Sequence, residues 1–365
     1  MYEKIRVANP SIPQNYLHKL SGAIQKGFIS SSSPYVAEFE NSMAQLCGRK
    51  HAMSCSSGTQ AIKIAIKALE LTPGTEVILP NFCIISVLIA VLDNQLVPKF
   101  VDPSDGYNVR LDDIIPRISN QTGAIIVAHM YGLSVNIIEI QEFCKEKNIF
   151  LIEDAAEAHG QTCNSLACGG FGDISTFSFF SNKHVTCGEG GMCLTNNELL
   201  ANKIKKIKNL YFDSQRSYKH NHIGEVGRLT TMQAVLGLCS LEKLSDTINK
   251  KSHIAQLYAK HLDGTVILPT EENAVSTNHY WVYPITFDDE KQFTKVKLKL
   301  DQSNIEYRRI FYPLSMQPLL SPLGYSLEYS KVLDDLYHRS MYIPIGPNIT
   351  DSEIEYVADN IKTCL

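Results

Sequence analysis

Three short stretches of this chain carry residues whose types and spacing could do chemistry. Lys183 lies five residues before Gly188, inside FGDISTFSFFSNKHVTCGEGGM (Phe171 to Met192). Asp154 directly follows the apolar run FLIE, within IEDAAEAHG (Ile152 to Gly160). Ser57, Gly58 and Thr59 open a helical pattern in SCSSGTQAIKIA (Ser54 to Ala65). Each has an ordinary reading by itself: a surface lysine, an aspartate that caps a helix, a Ser-Gly-Thr helix start. Together, in this order on an α/β pattern, they meet the three demands that pyridoxal phosphate makes of a protein. An amine must hold its aldehyde covalently, which Lys183 can do. A carboxylate must pair with the pyridine nitrogen, and Asp154 sits at the carboxyl end of a predicted strand, where α/β sheets place ligands. A helix N-terminus with hydroxyls must hold the phosphate, and the backbone N–H groups of Ser57, Gly58 and Thr59 suit it.

The elements that must position these groups alternate along the chain. The sequence predicts strands at His51 to Ser56, Glu76 to Leu79, Val97 to Val101, Ala124 to Ala128 and Ile149 to Ile152. Helical patterns run over Val36 to Leu46, Thr59 to Leu71, Ile84 to Leu92, Leu111 to Ile118 and Ile137 to Lys147. Short apolar strands separated by helices predict a mostly parallel sheet covered by helices on both faces. After Lys183 a strand is expected at Met192 to Thr195 and a basic amphipathic helix at Leu199 to Leu210, its lysines forming a solvated face. Thr230 to Leu262 reads as one long helical stretch, bent or broken, with the domain boundary near Asp246. Residues 1–246 are then a large cofactor-binding domain. Residues 247–365 form a smaller α+β domain, with strands at Tyr280 to Phe287 and Tyr307 to Phe311 and helices near Phe293 to Leu300 and Asp351 to Thr363.

Composition narrows the classes. The chain has 365 residues, 44% hydrophobic and 20% charged, with a net charge of −4. No basic field argues for nucleic acid or a membrane surface. The start, MYEKIRVANPSIPQNY, is polar and does not resemble a signal peptide, and the most apolar stretch, Cys83 to Leu92, is too short to span a bilayer. The ten cysteines are scattered without a C-x-x-C. No metal site is expected, and free, mostly buried thiols in a reducing cytoplasm are the reading taken.

Nearly the whole chain resembles the fold type I sugar aminotransferases of the DegT/DnrJ/StrS group. The resemblance rests on GFISSSSPYVAEFE, SSGTQA, EVILP, AHMYG, EDAAEAHG, STFSFFSNKHVTCGEGGM, IGEVGRLTTMQA and RRIFYP. It implies that Lys183 anchors the cofactor, Asp154 pairs with the ring nitrogen, Glu157 approaches the ring hydroxyl, and Ser178 joins Gly58 and Thr59 at the phosphate. It further implies that L-glutamate gives its amino group by way of pyridoxamine phosphate, with Lys183 moving the proton, and that a homodimer shares its active sites. Tyr35, Tyr131, Arg228, Arg308 and Tyr312 fall in matched motifs and are candidates to line the sugar pocket. His184 is placed next to them, packing under the site, and His159 is read as structural.

Two departures from the family pattern stand out. Ile84 occupies the position of an aromatic residue that stacks on the cofactor; an aliphatic side chain can still cover the ring. Relatives read I-G-Y-N-Y-R where this chain has Ile223-Gly224-Glu225-Val226-Gly227-Arg228. The family's asparagine there reaches the phosphate of the partner's cofactor, and Val226 has no such donor. Arg309 stands where relatives often have proline, either as a surface residue or as a second anion contact.

The leading expectation is amino transfer to a nucleotide-linked 4-keto-6-deoxy sugar for surface polysaccharide, with perosamine-type synthases the nearest pattern. The same chemistry on a keto ulosonic acid of lipopolysaccharide is kept open by Arg309 and the altered 225–227 segment. A cofactor-dependent sugar dehydratase is a further class, against which Lys183 argues, because dehydratase relatives carry histidine there. A non-catalytic regulator would need a DNA-binding appendage that this chain does not display.

Overall fold

A computed structural model describes residues 3–104, 106–212 and 217–365, so Met1 and Tyr2 of the polar start lie outside the described residues. The strands, in chain order, are β1 (His51–Cys55), β2 (Glu76–Pro80), β3 (Val97–Val101), β4 (Thr122–Ala128), β5 (Phe150–Asp154), β6 (Thr162–Cys163), β7 (Leu166–Ala167), β8 (Ile174–Ser178), β9 (Gly191–Thr195), β10 (Tyr283–Thr286), β11 (Arg308–Arg309) and β12 (Ser340–Ile343). Seven of them form one sheet in the order β1-β9-β8-β5-β4-β2-β3. Its pairs are parallel from β8 to β3, and β9 runs antiparallel between β8 and β1.

Alternation along the central strands shows why they read as unbroken apolar runs. Val77 and Leu79 of β2, with Ala124, Ile126 and Ala128 of β4, enter one core with the helices Gly58–Ala68, Ile85–Asp93 and Glu198–Ile207. Ile78, Ile125 and Val127 point the other way, into a core with the helix Ile137–Lys147. Both faces are covered, so both sets of side chains must be apolar. The fold is the expected α/β class.

Several elements differ from expectation. The strand β8 was not anticipated. Its Ser175 and Thr176 are buried polar residues that break the hydrophobic signal, and they are satisfied inside the protein: Ser175 Oγ donates to Gly169 O (2.6 Å) and Thr176 Oγ1 to Asp154 Oδ1 (3.4 Å). The stretch from Thr230 to Leu262 is two helices, Thr231–Leu241 and Leu244–Leu262. A capping box between Thr230 and Gln233 starts the first. The helix expected over Leu111 to Ile118 stops at Ile114 and continues as a 3-10 turn around Pro116, which lacks the donor an α-helix needs.

The smaller sheet, β10-β12-β11, is antiparallel. It packs on the helices Leu244–Leu262, Glu290–Gln302 and Asp351–Lys362 through Tyr258, Tyr283, Ile285, Phe287, Phe293 and Val357. Ile5 joins this second core and bridges to Ile305. The start of the chain therefore packs against its C-terminal part, which no local pattern announced.

Candidate active site

The carboxyl ends of β1, β2, β5 and β8 converge, and the start of β9 meets them: Gly191 lies opposite both Cys55 and Ser178. The closeness of these ends requires glycine. A Cβ on Gly58 would come within 2.7 Å of Ser178 Cβ, and one on Gly191 within 2.1 Å of Ser57 O. Ser57 caps the helix Gly58–Ala68, its Oγ accepting from Gln60 N–H at 3.1 Å. The first N–H groups of a helix have no partner within it, and this helix begins beside Ser178. Thr59 Oγ1 is 2.7 Å from Ser86 Oγ.

Asp154 ends β5 and is buried. Its Oδ1 accepts from Ala156 N–H (3.1 Å) and Thr176 Oγ1 (3.4 Å). Burial raises its pKa, opposed by the Ala156 N–H and the positive charge of Lys183. His129, at the end of β4, steadies this strand end. Its backbone N–H donates to Asp154 O at 3.2 Å. Its Nδ1 accepts from Val135 N–H, which leaves Nε2 to donate to Glu153 Oε1 at 3.0 Å.

Lys183 Nζ lies 3.7 Å from Glu157 Oε1, the two side chains being 9% and 8% exposed. Glu157 Oε2 accepts from Tyr131 N–H at 2.9 Å. Burial pushes Glu157 up to about 7, with Lys183 as the main opposing influence. Burial lowers Lys183, and Glu157 and Asp154 pull it back. Burial thus favours the neutral, nucleophilic amine that a covalent adduct needs, and the two carboxylates favour its protonated form. The amine also rests over the Trp281 ring, 3.5 Å from its centroid. Sequence reasoning missed Trp281; its one signal was being the only tryptophan in the chain.

The remaining candidates divide. Ile84 precedes the helix Ile85–Asp93 and packs half-buried against the large core. Tyr35 is half-buried with its ring edge toward Phe28. Tyr312 sits edge-on to Tyr337 at 4.9 Å. Arg228 Nη1 donates to Asn209 Oδ1 at 2.6 Å. Tyr131 is buried among Phe82, Tyr107 and Phe311, its hydroxyl accepting from Phe311 N–H at 3.4 Å. His184 is also buried, its Nε2 donating to His279 O at 3.1 Å, and burial holds it well below its ordinary pKa, hence neutral. His159 lies between Phe177 and Phe179, pushed by burial to about 3.

Arg308 and Arg309 leave the strand β11 on opposite faces, as adjacent strand residues do. Arg308 is exposed, 3.2 Å from Glu306 and close enough to Tyr342 to influence its hydroxyl. Arg309 packs over Phe293 (4.2 Å) and Tyr337 (4.9 Å) and donates to Tyr337 O at 2.9 Å. In the segment Ile223 to Arg228, Glu225 turns inward to Gln60, Lys67 (3.3 Å) and Lys63 (3.7 Å), while Ile223 and Val226 are 82% and 60% exposed.

This donor set fits pyridoxal phosphate. The space beside Gly58 admits no side chain, the buried carboxylate of Asp154 keeps Oδ2 outside the two bonds made by Oδ1, and Lys183 is a buried amine within reach of Glu157.

Comparison with known proteins agrees. The model of the DegT/DnrJ/EryC1/StrS aminotransferase family matches residues 10–362. A GDP-perosamine synthase of Vibrio cholerae is 32% identical over 362 residues, 98% of each chain. A UDP-N-acetyl-3-dehydro-alpha-D-glucosamine 3-aminotransferase of Acidithiobacillus ferrooxidans is 32% identical over 328 residues, covering 89% of this chain and 87% of its own. The solved structure of Helicobacter pylori PseC, an aminotransferase of pseudoaminic acid biosynthesis, superposes with a TM-score of 0.92 at 22% identity, covering 99% of both chains. The likeness thus runs through both sheets and every stretch from which the site is built: this chain belongs to the DegT/DnrJ/EryC1/StrS family and is a pyridoxal-phosphate-dependent sugar aminotransferase.

Proposed function

We propose that this enzyme moves an amino group from L-glutamate to a nucleotide-linked 4-keto-6-deoxyhexose, in the making of a surface polysaccharide. The observation that carries this reading is the full-length match to a synthase whose name specifies a GDP-linked amino sugar. When bound, the cofactor supplies an electron sink for the carbon that loses its proton. The protein supplies the rest. Lys183 Nζ carries the proton: burial favours its neutral, basic form, and Glu157 and Asp154 stabilise the protonated form it reaches. Asp154 holds the ring nitrogen in its protonated state, and Ser57, Gly58, Thr59 and Ser178 hold the phosphate.

The position of Arg309 weighs against the ulosonic-acid alternative. A carboxylate needs a free guanidinium, and that of Arg309 is covered by Phe293 and Tyr337 and bonded to a backbone carbonyl. Arg308 alone is left for an anion, which suits a diphosphate. Arg309→Ala should therefore lower stability by about 1–3 kcal/mol, from the lost ring contacts and hydrogen bond, while kcat/KM stays within a few-fold of wild type. Thermal unfolding and steady-state kinetics check this together; a large loss in kcat/KM with normal stability would return Arg309 to the substrate.

A substrate panel tests the function itself. GDP-, dTDP- and UDP-linked 4-keto-6-deoxyhexoses and a keto ulosonic acid are each incubated with L-glutamate, and the products are weighed by mass spectrometry. An aminated GDP-hexose is expected. Turnover of the ulosonic acid alone would overturn the reading, and a deoxygenated product would mark a dehydratase.

The working unit we propose is a homodimer with shared active sites. The exposed apolar side chains of Ile223, Val226 and Met232, beside the phosphate-binding helix that Glu225 grips, form a face suited to a second copy. Among the described residues no helix is long and apolar enough to cross a membrane. A cytoplasmic location is part of the same proposal, and it accords with free cysteines that are buried except for the half-buried Cys364.

A further inference from the structure

Trp281 makes three contacts, two of them with Lys183 and the residue before it. Its indole Nε1–H donates to Asn182 O at 3.1 Å, fixing the peptide that precedes Lys183. Its ring face lies under Lys183 Nζ, 3.5 Å from the centroid. Its own carbonyl accepts from the buried Lys251 Nζ at 2.8 Å, which ties it to the helix Leu244–Leu262. Trp281 is itself 5% exposed and lies only two residues before β10 begins at Tyr283, putting it on the link between the two sheets.

We infer that Trp281 is a positioning residue for the reacting lysine: its N–H sets the turn that presents Lys183, and its ring face is where the Lys183 amine rests whenever it is not bonded to the cofactor. A buried amine without a partner would fold back on nearby carbonyls or lose its direction. An aromatic face attracts a desolvated ammonium and accepts nothing from the neutral amine, so it holds the charged form without competing for the lone pair of the neutral one. The other groups facing this amine are Asp154 and Glu157 from the end of β5 and Cys83 from the loop after β2. Lys251 and His159 stand near enough to feel its charge. His184 stands near Lys251 and His279, and the Tyr131 ring is 6.0 Å from the indole.

The inference rests on Lys183 being the reacting amine, and its test separates the two ideas. Trp281 is the chain's single tryptophan, so the indole fluorescence of the full-length, cofactor-free protein, excited beyond the tyrosine band, reports the surroundings of this one residue. A titration from pH 5 to 10 should show a step in emission as the ammonium under the indole loses its proton. Lys183→Met should remove the step, and Lys251→Met should leave it. A step that survives Lys183→Met and vanishes in Lys251→Met would assign the signal to the carbonyl contact and overturn the inference. This arm keeps Trp281 intact, so it holds even where a tryptophan variant folds poorly. In a second arm, the pH dependence of Lys183 modification by trinitrobenzenesulfonate is followed by peptide mapping. Trp281→Leu should lower its midpoint by about one pH unit, because a desolvated cation–π contact favours the charged amine by about that much. Trp281→Phe, which keeps a ring face, should restore the midpoint near the wild-type value. An unchanged midpoint in Trp281→Leu would also overturn it. Neither readout requires that Lys183 anchor the cofactor; covalent labelling decides that separately.

Discussion

Lys183→Ala is expected to abolish amino transfer, with turnover falling by at least about 10³-fold, since one residue supplies both the covalent anchor and the proton carrier. The variant should still bind the cofactor, because Asp154 and the phosphate cradle at Gly58 are untouched. Borohydride reduction of the yellow wild-type enzyme should fix the cofactor to the peptide that contains Lys183. The site contains a natural competitor. Lys251 is buried as well, lowered to about 7 mainly by burial, and it faces the same indole residue. Its amine is engaged by the Trp281 carbonyl, whereas Lys183 Nζ has only a ring face and a carboxylate at 3.7 Å. Label on the peptide containing Lys251, or on any other lysine, would remove the central assignment.

Asp154→Asn should retain the shape of the site and lose most of its activity. The two bonds to Oδ1, from Ala156 N–H and Thr176 Oγ1, can both be accepted by an amide oxygen, so the side chain should stay in place. What disappears is the charge that keeps the ring nitrogen protonated. An interaction of this kind, fixed in a dry site and strongest where charge develops, is worth on the order of 10²- to 10³-fold in turnover. Steady-state rates with glutamate, together with the visible absorbance of the bound cofactor, test this. Turnover within a few-fold of wild type would show that the ring nitrogen is paired elsewhere.

Much of this site could be read in one dimension because its parts are local. Ser57 caps a helix three residues away, Asp154 ends a strand that announces itself as FLIE, and Lys183 is separated from Gly188 by four residues. Short-range geometry sets the direction of such groups, and short-range spacing preserves it. The same holds for the doubly covered sheet, whose unbroken apolar runs follow from burial on both faces. β8 escaped because Ser175 and Thr176 are polar residues satisfied by partners that only folding supplies.

What the sequence determined by itself was the cofactor class and the local frame of Ser57, Asp154 and Lys183. What only the tertiary structure decided was which neighbours those residues have. Trp281 reaches Asn182 across 99 positions, and Arg309 packs over Phe293 and Tyr337. Tyr131 enters the core, and Ile5 crosses to the C-terminal sheet. The physical reason is common to all four. A side chain's role depends on what packs against it, and packing between distant segments is set by the volume and direction of many side chains at once, which no local spacing encodes.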